Sequence, residues 1–122
     1  MASGKQIGEF SLKATSLTFT PGPGSSTVIQ GNFEGTATGF GAVLGTGTFV
    51  GGKSGTFSWC GGAYLDNGDT LAGDGPGTYE SSGRHKWRTQ GIVNLTDGRS
   101  MISEGEIDLA TRSWNGQLFE RK

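Results

Sequence analysis

The sequence predicts an all-β chain folded as an eight-stranded, antiparallel, up-and-down closed β-barrel. Three observations carry this. Thr, Val, Phe and Trp alternate with polar residues in stretches of about ten, the period of half-buried strands. No apolar set recurs at helical spacing over three turns. Seven turn signals, at 21–25, 39–41, 51–53, 66–68, 81–83, 96–98 and 110–111, divide the chain into eight runs. Eight strands joined by short turns leave the first and last antiparallel, so the sheet can close and abolish its edges. The 122 residues give room for one domain, 1–122, of which 1–8 is expected to be a flexible N-terminal segment.

Each element can be justified in turn. In the first strand Phe10 and Leu12 alternate in one phase and Leu17 and Phe19 in the other, so a bulge is expected near Ala14 to Ser16. After "PGPGS", a turn at "GFG" sets Phe33 against Gly47 and Gly31 against Phe49. A three-residue loop "GGK" sets Gly47 against Phe57, Gly45 against Trp59 and Phe49 against Gly55. "DNG" sets Gly75 against Trp59 and Ala63 against Leu71. "SSG" sets Tyr79 against His85 and Gly77 against Trp87. The "TDG" loop, with Gly98 left-handed, separates the faces cleanly: Arg88, Lys86 and Gln90 face Glu106, Asp108 and Glu104, while Trp87 faces Ile107 and Val93 faces Met101. Finally "AT" sets Ile107 against Trp114 and Ser103 against Leu118. Large residues opposite small ones fill a barrel interior without overpacking it.

Several chemistries are excluded by residue type or context. "GTFVGGKS", Gly47 to Ser54, spells a phosphate-binding loop, but such a loop must lead from a strand into a helix, and "GTFSWCGG" is another strand. A net charge of −1 provides no field to attract nucleic acid or an anionic membrane. One cysteine, Cys60, and one histidine, His85, are too few soft ligands for zinc, and Asp66, Asp69 and Asp74 lack calcium-loop spacing, so no metal is expected. The start "MASGKQIGEF" has no secretory hydrophobic segment, and no apolar run is long enough to span a bilayer as a helix; a cytoplasmic location is expected. Cys60 falls on the exterior beside Leu44, with no base near it. Glu104, Glu106 and Asp108 form an exterior ladder with Gln90, Arg88 and Lys86.

What remains is the interior. Trp59, Trp87, Trp114, Phe49, Phe33 and Met101 are the expected ligand-contacting residues, since an eight-stranded barrel can hold one small molecule and tryptophans offer it broad apolar faces. Strand polarity brings His85 and Tyr79 together near one rim as candidate catalytic groups, the histidine moving a proton and the tyrosine donating to an oxyanion. On the outer wall Ile92, Ile102 and Phe119 adjoin across three strands, a patch expected to serve a homo-oligomer contact.

With these turns and alternations over residues 9–121, the layout resembles the small eight-stranded barrels: calycin-like ligand carriers, the avidins and the allene-oxide-cyclase-like barrels, among them cofactor-free cyclases and isomerases. "GTYES", Gly77 to Ser81, is similar to an avidin-type hairpin. The resemblance implies a small hydrophobic molecule in the barrel, no cofactor, and oligomerisation through the outer wall. Two functions follow as expectations: binding of a small hydrophobic or aromatic molecule, or cofactor-independent isomerisation or cyclisation of such a molecule by His85 and Tyr79. A purely structural barrel is the third.

Overall fold

A computed structural model of the chain describes residues 3 to 121. It contains β1 (Ser3–Pro21), β2 (Thr27–Ala37), β3 (Gly41–Gly51), β4 (Ser54–Tyr64), β5 (Thr70–Gly83), β6 (Lys86–Leu95), β7 (Ser100–Asp108) and β8 (Ser113–Arg121). Each strand pairs antiparallel with its sequence neighbours, and β1 pairs with β8 to close the barrel. β1 starts at Ser3, within the stretch expected to be loose, and its first residues pair with the end of β8; Met1 and Ala2 lie outside the described residues. The change of phase in β1 is resolved by an irregularity between Ala14 and Ser16, where a bulge was expected.

Three registers follow the face-separation argument. Across β6 and β7, Trp87 faces Ile107 and Val93 faces Met101, with Gly98 at φ 94° as the loop requires. Across β7 and β8, Ile107 faces Trp114, and across β4 and β5, Trp59 faces Gly75 and Ala63 faces Leu71.

Three other registers need correction, each shifted by an even count that keeps side chains on their expected face. Between β2 and β3 the loop is Thr38-Gly39-Phe40, so Phe33 faces Gly45, Gly31 faces Gly47 and Ile29 faces Phe49. The cause is Phe40, which is only 7% exposed; Gly41, at φ 69°, turns the chain so that this ring tucks under the rim. Between β3 and β4 the ladder begins at Gly51 and Gly55, which sets Phe49 against Phe57 and Gly47 against Trp59. The two phenylalanines stack at 5.4 Å with 27° between planes, a cross-strand aromatic pair that the other register would have forgone. Cys60 consequently lies beside Thr46, not Leu44.

The third correction is at β5 and β6. A bulge between Ser81 and Gly83 moves the turn to Arg84 and His85, the latter at φ 56°. Tyr79 then faces Thr89, and Gly77 faces Gly91. That glycine pair forms a slot for the Phe57 ring, which a Cβ at either position would meet.

Inside, the barrel divides lengthwise into two clusters. At the end formed by the β1–β2, β3–β4, β5–β6 and β7–β8 turns, Leu12, Phe33, Phe49, Phe57, Tyr79 and Trp114 pack together. At the opposite end Phe40, Ala63, Met101 and Leu118 form the second cluster, with Leu65, Leu71, Val93 and Leu95 around it.

Candidate functional site

The aromatic end is filled. Trp114 lies at its centre, with ring centroids 5.2 Å from Phe33, 5.6 Å from Phe49, 5.4 Å from Phe57 and 5.7 Å from Trp59. Its indole N–H donates to Thr89 Oγ1 at 3.0 Å, and Thr89 is 1% exposed, so the one polar atom of this large ring is satisfied in the dry interior. Glycines make the room: a Cβ at Gly45 would enter the Trp59 ring, and one at Gly47 would stand 2.9 Å from Phe49 and 3.3 Å from Trp114. Phe33 and Phe49 are enclosed by these rings, whereas Phe57, Trp59 and Trp114 also turn part of their surface toward the other end.

Space remains at the other end. A cavity of about 100 Å³ lies between the Trp59 and Trp114 rings on one side and Phe40, Leu71, Met101 and Leu118 on the other. Gly61, Gly73, Gly75 and Gly91 contribute backbone to its walls, and Ser103 is the one polar side chain among the described residues that line it. The cavity is half of what an interior needs to become a site: an apolar volume, without a charged group to anchor an ionic ligand.

Phe40 lies on the rim turn and lends its buried ring to the cavity wall. The Arg99 guanidinium stands 5.5 Å from the Phe40 ring centroid, a cation–π contact. Arg99 is itself held by Asp97, whose Oδ2 accepts from Arg99 Nε at 2.8 Å and whose Oδ1 accepts from the Arg99 backbone N–H at 3.0 Å. That backbone hydrogen bond first, then the side-chain bond and charge of Arg99, hold the Asp97 carboxyl below its ordinary range. All three residues belong to turns, Phe40 between β2 and β3 and the other two between β6 and β7.

The residues expected to contact a ligand therefore part company. Trp59, Trp114 and Met101 line the cavity, whereas Phe33, Phe49 and Trp87 belong to the packed end. Phe40 belongs to a turn by sequence; an aromatic residue between two glycines, where loops are ordinarily polar, is the signal for its burial.

His85 and Tyr79 are not brought together. His85 is exposed at the β5–β6 turn and its carbonyl accepts from the Leu109 N–H at 3.1 Å, while Tyr79 points inward at 9% exposure beside Thr89. Burial pushes the Tyr79 phenol upward from its ordinary range, which keeps it a hydrogen-bond donor at neutral pH but gives it no base to work with. The pairing expected from the "SSG" register is thus corrected by the bulge that displaces the turn.

"GTFVGGKS" runs along β3, bends at Gly52 and Lys53 and enters β4, with no helix to present amides to phosphate. Arg88 stands opposite Glu106 but its ion pair, at 3.5 Å, is with Glu80 on β5, so the expected exterior ladder is corrected there. Ile92, Ile102 and Phe119 do adjoin across β6, β7 and β8, with Ile102 only 1% exposed.

Compared with protein-family models, curated proteins and solved structures, the chain finds no significant match to any.

Proposed function

We propose that this chain binds a compact apolar molecule, on the order of benzene in size, in the Phe40 end of its barrel. The observation that carries this reading is the cavity of about 100 Å³ with apolar walls, retained in an interior whose other half is packed ring against ring. Unfilled apolar space forfeits packing contacts, at most ~2 kcal/mol for a fully enclosed volume of this size at roughly 24 cal/mol per Å³. A side chain only slightly larger at Ala63 would reduce that loss, and a small residue stands there instead.

Size and polarity narrow the ligand. Pockets for drug-sized molecules usually run from about 300 to 1,000 Å³, so a lipid or terpenoid does not fit the barrel as it stands. Engineered apolar cavities of ~150 Å³ take up benzene or xenon, which is the relevant comparison. Trp59 and Trp114 offer ring edges and faces, Met101 an adaptable thioether, and Ser103 one hydroxyl able to hold a single polar atom of the guest.

Thermal denaturation in the presence of benzene tests the reading. At about five times its Kd, benzene should add ~1 kcal/mol to stability and raise Tm by roughly 3 °C. The variant Ala63→Leu, which places three more carbons into the cavity, should lose that response. An unchanged Tm in the wild type, or equal shifts in both proteins, would refute the proposal.

A further inference from the structure

A closed barrel has no edges, yet this one keeps a short one. β1 pairs with β8 only as far as Lys13, after which Ala14 makes a last backbone hydrogen bond, to the Arg112 carbonyl at 2.9 Å. From Ser16 to Pro21, β1 continues with β2 on one side and, among the described residues, no strand on the other. Every residue from Thr15 to Pro21 is exposed, Leu17 to 39% and Phe19 to 62%.

The direction of the unpaired backbone groups follows from the ladder. Gly22 donates to the Ser26 carbonyl at 2.9 Å, and the register from Pro21 with Thr27 back to Ser16 with Asn32 is uninterrupted. Hydrogen-bonded and non-hydrogen-bonded pairs alternate along an antiparallel ladder. Ser16, Thr18 and Thr20 therefore exchange hydrogen bonds with β2, and the N–H and C=O groups of Leu17 and Phe19 point to the free side. Pro21 has no N–H and ends the row of donors there.

We infer that this edge pairs with the same edge of a second copy of the chain, antiparallel about a two-fold axis at Thr18. The segment "SLTFT" is self-complementary in that register: Leu17 of each copy lies opposite Phe19 of the other, joined by the backbone groups that are free, and Ser16 lies opposite Thr20. On one face the pairing joins the exposed aliphatic and aromatic side chains across the strands, and on the other it aligns hydroxyls. No charge lies between Thr15 and Pro21 to repel a like strand, although lysine is the common guard of natural edges. A heterologous strand would satisfy the same backbone groups, but the match of Leu17 to Phe19 about one axis is what a second copy supplies. Two strands of this length bury less than the ~1,200 Å² of a standard interface, so the dimer is expected to be weak, with Kd in the range of tens of micromolar.

Cysteine cross-linking reads the register. In a Cys60→Ser background, which removes the exposed native thiol, Thr18→Cys should form a disulfide dimer under mild oxidation, since the two Thr18 Cα atoms would stand about 4.5 Å apart. Ser16→Cys and Thr20→Cys should each stay monomeric alone and cross-link when mixed. Sedimentation equilibrium should show wild-type dimer at about 100 μM and a single-chain mass for Leu17→Lys/Phe19→Lys. A wild-type mass of one chain at that concentration would overturn the proposal and assign the edge to a strand of another protein or to none. So would a dimer that persists in the double-lysine variant, or Thr18→Cys cross-linking no faster than the wall control Thr56→Cys.

Discussion

Replacing Trp114 with alanine is expected to cost about 3 to 5 kcal/mol of folding stability, the range for deleting a large buried aromatic. Trp114 is 4% exposed and stands against Phe33, Phe49, Phe57 and Trp59, so its removal opens the packed end into the existing cavity. The substitution Thr89→Val isolates the polar part of the same site. It keeps the shape but leaves the Trp114 N–H without its acceptor, and should cost ~1 to 3 kcal/mol. Urea denaturation measures both. A loss under about 1 kcal/mol for Trp114→Ala would mean that the ring cluster does not hold the barrel together.

Gly116→Ala is the second large effect. A Cβ there would stand 2.8 Å from the Glu104 carbonyl carbon, against backbone that cannot rotate away, between β7 on one side and β1 on the other. Overpacking of this kind costs typically 1 to 3 kcal/mol, and a backbone obstacle places the expected value at ~3. At Gly62, by comparison, the nearest atoms to an added Cβ lie 3.5 Å away, and Gly62→Ala should change stability by less than ~0.5 kcal/mol. Equal losses for the two variants would show that glycine matters here for chain flexibility and not for close approach. The comparison separates the two roles in a protein with 24 glycines.

Much of the architecture was legible because alternation and turn residues act locally. The strand count, the closure and the bulge near Ala14 follow from phases written in adjacent residues. Three registers did not, and each departed by an even step, since faces are set by side-chain alternation while the choice between loops is set by what the loop residues can bury. Phe40 tucks under the rim, Phe49 stacks on Phe57, and the Ser82 bulge carries His85 out to a turn. Those choices turn on how particular side chains pack around each turn, which alternation alone does not encode. The cavity was illegible for the same reason: Phe33, Phe49 and Trp87 alternate inward just as Trp59 and Met101 do, and only the three-dimensional stacking decides which half fills.

On the proposed reading, the Phe40 turn is where a guest would pass. Phe40 sits on a turn flanked by Gly39 and Gly41, and its ring meets the guanidinium of Arg99, which with its partner Asp97 belongs to the β6–β7 turn across the same end of the barrel. Arg99→Ala should leave the cavity in place while speeding guest exchange, visible as broader or coalesced ligand resonances in a benzene titration followed by NMR. Unchanged exchange rates would release Arg99 from any part in holding Phe40 against the cavity.

Xenon tests the preformed apolar cavity most directly. A crystal pressurised with the gas should show one xenon atom inside the barrel, bounded by Phe40, Trp59, Met101 and Leu118, and none among the rings around Trp114 at the packed end. A crystal that takes up xenon nowhere in the barrel, or in which ordered water occupies that volume, would contradict the account.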